Sequence, residues 1–209
     1  MKAAVLLLAA ARVAAEDAAT SAPSMAPLTF VVAGVADLRG AVENATAGGP
    51  CHDVFLQGDV TLGPTDGTMV VAAGACVSVV GDYARGGSVF ECAGSGAAAG
   101  VFFADAGATA SFAYVEIRDN VATASRGGGG IFGAGAASLT VANSKFVDLW
   151  QPASNGGSIA CVQCVAVVVA GCEFVGSYSF AGGGSLAVVV FGSLAVSDCA
   201  ETNHWFGWS

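Results

Sequence analysis

Gly156-Gly157-Ser158-Ile159, with Phe174 following 15 residues after Ile159, is the stretch on which the reading of this chain turns. Its counterparts are Gly128-Gly129-Gly130-Ile131, again with Phe146 15 residues on, and Gly183-Gly184-Ser185-Leu186. Ile131, Ile159 and Leu186 are 28 and then 27 positions apart. Two further apolar sets run in phase with them. Ala110/Phe112, Leu139/Val141, Val167/Val169 and Leu194/Val196 are spaced 29, 28 and 27, and Ile117, Phe146 and Phe174 are spaced 29 and 28.

Length variation is confined to one half of this repeat. The steps Ile131 to Phe146 and Ile159 to Phe174 are both 15, whereas Ile117 to Ile131, Phe146 to Ile159 and Phe174 to Leu186 are 14, 13 and 12. Stacked strands must keep register, but a solvent-facing loop need not. A unit of this size cannot bury its apolar face alone, so neighbours stack into a continuous core. Segments such as Leu139-Thr140-Val141 alternate as strands do and are separated by Gly, Asn and Ser. Three strands and three turns need about 22–30 residues. The pattern therefore predicts an all-β parallel β-helix solenoid with coils of about 27–29 residues.

Composition agrees. Hydrophobic residues make up 55% of the 209, charged residues 11%, and glycine accounts for 30. Too few charges are present for the wet faces of ordinary helices. Upstream, Val54-Phe55-Leu56, Val60-Thr61-Leu62, Met69-Val70-Val71 and Val77-Ser78-Val79 read as strands of less regular coils. Cys76-Val77-Ser78-Val79 and Thr109-Ala110-Ser111-Phe112 look alike but lie 33 apart, which places an insertion around Gly94 to Gly100. Val35 to Ala47 reads as a short amphipathic helix with Leu38, Ala41, Val42 and Ala45 inward, suited to covering the first coil.

The repeats resemble those of the chlamydial polymorphic outer-membrane proteins and, more broadly, the pectate-lyase-like right-handed β-helix superfamily. The resemblance rests on the Gly-Gly-x-aliphatic segments and on Ile117-Arg118-Asp119-Asn120, Phe146-Val147-Asp148-Leu149 and Phe174-Val175-Gly176-Ser177. Only the first of these three keeps Asn, so the match is to a pattern. It implies a right-handed coil and a surface or carbohydrate-related role.

The organisation that follows is a signal peptide over 1–15, a linker over 16–29, the β-helix over 30–203 and a tail over 204–209. Lys2, the apolar run Ala3 to Ala11 and Val13-Ala14-Ala15 supply the parts of a secretory leader. Cleavage there leaves five basic residues against 16 acidic ones. Such a surface disfavours nucleic acid and anionic membrane as partners. The uncharged stretches Leu149 to Cys172 and Phe174 to Ser197 are long enough to span a bilayer, but their Gly-Gly pairs, Gln151 and Pro152 argue against transmembrane helices. The expected localisation is secreted or cell-surface.

Seven cysteines enter an oxidising compartment on this reading. Cys172 and Cys199 fall in phase on adjacent coils and are candidates for a disulfide, with a ladder of reduced thiols as the alternative. Cys161-x-x-Cys164 lacks two further zinc ligands, the nearest histidine being His204, and reads as packing or an isolated disulfide. Asn44-Ala45-Thr46 is a glycosylation sequon, placing a candidate glycan on Asn44. No cofactor or metal site is legible.

The core ladder is expected from Ile117, Phe146 and Phe174, from Val141, Val169 and Val196, and from Ile131, Ile159 and Leu186. Glu116, Lys145 and Glu173 should stack outward as a charge ladder. Asp119 and Asp148 are the candidates for catalysis, since close carboxylates can divide acid and base roles. Their alternative role is to make turns. Arg118 and Arg126 lie near, but no lyase-like cluster of Arg and acids is legible. The expected function is a non-catalytic module for adhesion or glycan binding, with polysaccharides or surface glycans as partners. The alternative is a polysaccharide lyase or glycoside hydrolase. The aromatic end, Trp205-Phe206-Gly207-Trp208, and its coil are candidates for self-association.

Overall fold

The computed structural model describes residues 25–209 apart from 64, 93–99, 123–126, 153–155, 180–182, 203–204 and 207–209. The expected leader, Arg126, His204 and most of the expected insertion around 94–100 lie outside the described residues. The chain winds into a β-solenoid of about six turns. One stack of parallel strands runs through Leu28–Val32, His52–Leu56, Cys76–Val80, Thr109–Ala113 and Ser138–Ala142, then the second halves of Ile159–Ala170 and Leu186–Ser197. The first halves of those two long strands continue a second stack from Met69–Val71, Phe102–Ala104 and Ile131–Ala134. A separate sheet stacks Val60–Leu62, Ser88–Cys92, Val115–Arg118, Lys145–Val147, Glu173–Val175 and Ala200–Thr202. The first strand takes in Leu28 and Thr29, the end of the segment read as linker.

The apolar columns stand where the spacing puts them. Phe146 pairs with Ile117 and Phe174, Val169 with Val141 and Val196, and Ile159 with Ile131 and Leu186. Ile117, Ile131, Val141, Phe146, Ile159 and Val169 are fully buried. Alternation explains why: every second residue of a strand faces inward, and parallel in-register pairing lays like on like. Beyond Phe174 the column continues to Glu201, and Val196 at the same level is 49% exposed. The step of 33 also holds, as Val77 pairs with Ala110.

One helix, Val35–Glu43, caps the first coil. Leu38, Ala41 and Val42 face the core, with Ala45 buried just beyond the helix end. Arg39 ties the helix to the coil below, donating to the carbonyls of Asp66, Gly67 and Thr68 and pairing with Glu43 at 2.6 Å. His52 Nδ1 donates to the Ala41 carbonyl at 2.6 Å, so a buried polar ring is satisfied beneath the cap.

Two disulfides close the structure. Cys51 and Cys76 precede the paired residues His52 and Val77 on adjacent coils, with Cα atoms 4.5 Å apart. Cys161 and Cys164 are bonded within one strand. Residues three apart on a regular strand face opposite sides, but Gln163 takes φ 59° and the pairing shifts register around it. This bulge turns both cysteines inward, where both are fully buried. Gly133, paired with Cys161, makes room: a Cβ there would lie 2.6 Å from the Cys161 sulfur. No helix among the described residues is long and apolar enough to cross a membrane.

Candidate functional site

The outer corner after the Lys145–Val147 sheet gathers the exposed chemistry of the solenoid. Three successive coils turn there through a single residue in the left-handed region: Asp119 at φ 59°, Asp148 at 50° and Gly176 at 62°. Asp, Asn and Gly tolerate that conformation better than other residues, because short polar side chains bond locally and Gly has no Cβ. The turns stack through their backbones, Asp119 donating its N–H to Val147 at 3.1 Å and Asp148 to Val175 at 2.9 Å. Both carboxylates are exposed. The structure thus brings Asp119 and Asp148 to equivalent places on adjacent coils, and turn geometry accounts for both.

One residue past the corner the chain dives inward. Asn120, Leu149 and Ser177 are buried, Asn120 donating to the Gly129 carbonyl and Ser177 bonding Ser158 through the hydroxyls. The next residue points out again, and here the short strands Trp150–Gln151, Tyr178–Ser179 and Trp205–Phe206 form a third sheet. Val121 joins it through a bridge to Trp150. Trp150 is 46% exposed and Tyr178 half-buried, their ring centroids 6.3 Å apart. Two exposed carboxylates on adjacent coils, beside two aromatic rings tilted 58° to one another, make a strip along the solenoid.

The Gly-Gly signature has its reason in this corner. A Cβ at Gly157 would strike the Gly184 carbonyl and lie 2.7–2.8 Å from the backbone of Tyr178. Only glycine lets the loop of one coil pack so closely under the aromatic strand of the next.

Charge flanks the strip. Arg118 reaches Glu91 at 3.6 Å, Glu116 at 3.7 Å and Asp119 at 3.9 Å, and Lys145 pairs with Glu173 at 3.2 Å. The expected ladder of Glu116, Lys145 and Glu173 is in register, but Glu116 is engaged by Arg118 of its own strand. Among the described residues no group of three His, Cys, Asp or Glu is placed to hold a metal ion.

The candidate bridge between Cys172 and Cys199 is not formed; both are thiols on adjacent coils, as the alternative reading of a thiol ladder has them. Burial pushes the Cys172 thiol up to about 12. Asn44 is exposed at the helix C-terminus. Sequence reading missed the pair Trp150 and Tyr178, although both lie four positions after the core residues Phe146 and Phe174. It also missed Cys51–Cys76.

Comparison with known protein families, with curated proteins and with solved structures gives no match to this chain.

Proposed function

We propose that the chain is a secreted or cell-surface β-helix module that binds glycans without transforming them, in adhesion or surface display. The observation that carries this reading is the outward strip of Trp150 and Tyr178 beside Asp119 and Asp148. Aromatic rings are amphipathic surfaces that pack against the C–H faces of sugar rings. Carboxylates accept hydrogen bonds from sugar hydroxyls, and charged acceptors make the stronger bonds. A net charge of −9 favours a neutral, hydroxyl-rich partner over an anionic polymer. Two disulfides suit an oxidising compartment, in keeping with the leader-like residues 1–15. The repeat pattern's likeness to polymorphic outer-membrane proteins and to pectate-lyase-like β-helices supports the same reading.

The test is a glycan array probed with the protein lacking residues 1–15, followed by titration of neutral oligosaccharides against wild type, Trp150→Ala and Tyr178→Ala. Binding that falls roughly 10-fold or more in each variant, the scale of losing one aromatic contact of about 1.4 kcal/mol, supports the module. No binding to any glycan overturns it. A parallel assay for reducing ends and unsaturated products addresses the enzymatic alternative, which is favoured by the adjacency of Asp119 and Asp148. Turnover abolished by Asp119→Asn and by Asp148→Asn would establish a lyase or hydrolase instead.

A further inference from the structure

We infer that Cys172 and Cys199 form an oxidation-dependent cross-link that fastens the last coil to the one before it. The register places them so: Glu173 pairs with Ala200, and the two cysteines are the residues immediately before them. Cys51 and Cys76 stand in the same relation to the paired His52 and Val77, and they are bonded. Equivalent positions on adjacent coils of this solenoid are therefore within disulfide reach.

The two thiols also have matching surroundings. Cys172 donates to the carbonyls of Ala170 at 3.5 Å and Val141 at 3.7 Å, and Cys199 to those of Ser197 at 3.3 Å and Val169 at 3.7 Å. One coil earlier Ser144 occupies the same place and donates to Ala142 at 2.8 Å. Each thiol thus follows a left-handed turn residue, Gly171 or Asp198, and bonds back across it. The bonds are weak sulfur donations, and the side chains can turn toward one another with little lost.

Access decides the order of the chemistry. Cys199 is partly exposed and Cys172 is 2% exposed. With a small-molecule disulfide such as glutathione disulfide as oxidant, the Cys199 thiolate attacks one sulfur and expels one glutathione thiolate. The mixed disulfide on Cys199 is then attacked by Cys172, which gives its proton to solvent, and the second glutathione leaves as thiolate. Two protein thiols are oxidised and one disulfide is reduced to two thiols. The bond joins a well-packed coil to one whose residues Ser193 to Ser197 and Ala200 to Thr202 are exposed. It ties down the part of the solenoid with least burial to hold it.

The full chain is incubated folded in glutathione buffers of graded ratio, quenched with acid, alkylated and mapped by peptide mass spectrometry. The expected result is a peptide pair joined through Cys172 and Cys199, about 2 Da lighter than the two thiols. It should be absent from Cys172→Ser and Cys199→Ser. Proteolysis within residues 186–202 should slow roughly 10-fold on oxidation of wild type, and in neither variant. Persistent glutathione on Cys199, or two unmodified thiols in excess glutathione disulfide, would overturn the inference. Glycan binding is read separately, so either proposal can fail alone.

Discussion

Phe146 and Phe174 stack ring on ring, their centroids 5.3 Å apart and their planes 13° from parallel. Both sit in one column of the core, on coils whose backbones pair directly. Truncating the middle member of such a column removes contacts both above and below. Phe146→Ala should therefore destabilise by about 3–5 kcal/mol, seen as a lower denaturant midpoint. Val147→Ala, one residue along and facing out, should cost well under half of that. Equal losses would mean that the column is not the core.

Gly157 should tolerate no side chain. Gly157→Ala must displace the backbone of both Gly184 and Tyr178, and a forced shift of packed backbone costs about 1–3 kcal/mol or more. Thermal unfolding measures the loss. Because the displaced backbone includes Tyr178, fluorescence of the Trp150–Tyr178 pair should change in the folded variant too.

Alkali should weaken the fold through Cys172. Its thiol has an ordinary value near 9 when unfolded and about 12 when buried. Below pH 9 both states hold the proton and nothing is lost. Between pH 9 and about 12 the unfolded state releases its proton while the folded state keeps it, so stability falls as pH rises, by at most about 1.4 kcal/mol per pH unit. Urea titrations in reductant at pH 8 and pH 10 should show a smaller loss for Cys172→Ser than for wild type. An identical pH slope in the two would refute the assignment.

Glu201, exposed, continues the Ile117–Phe146–Phe174 column on the coil after Phe174. Any strand laid over it must desolvate a carboxylate, the arrangement by which edge strands resist pairing. Replacing it with Phe should promote concentration-dependent self-association, visible by light scattering, while the wild type stays at a lower mass. A variant whose mass does not change with concentration would refute this role for Glu201.

The columns were legible because one period governs them: 27–29 residues between like positions carries Val141, Val169 and Val196 without ambiguity. Upstream, the pairs His52–Val77 and Val77–Ala110 are 25 and 33 residues apart. That irregularity breaks the phase, which is why Cys51 and Cys76 gave no sign of meeting. An isolated Cys161–Cys164 disulfide is one of the two readings the sequence offers, and it is formed; the positive φ of Gln163 that permits it is not legible from the identity of glutamine. Trp150–Gln151 and Tyr178–Ser179 are two-residue strands, too short to show alternation. The aromatic part of the site was thus the least readable, while Asp119 and Asp148 were placed by phase alone.

Confining length changes to one arc of the coil has a geometric effect on the outer corner. Backbone pairing sets the advance per turn at about 4.8 Å, whatever the neighbouring loop contains. Trp150 and Tyr178 are therefore graduations on a fixed ruler. Lengthening a loop alters what stands beside the marks and leaves the distance between them unchanged.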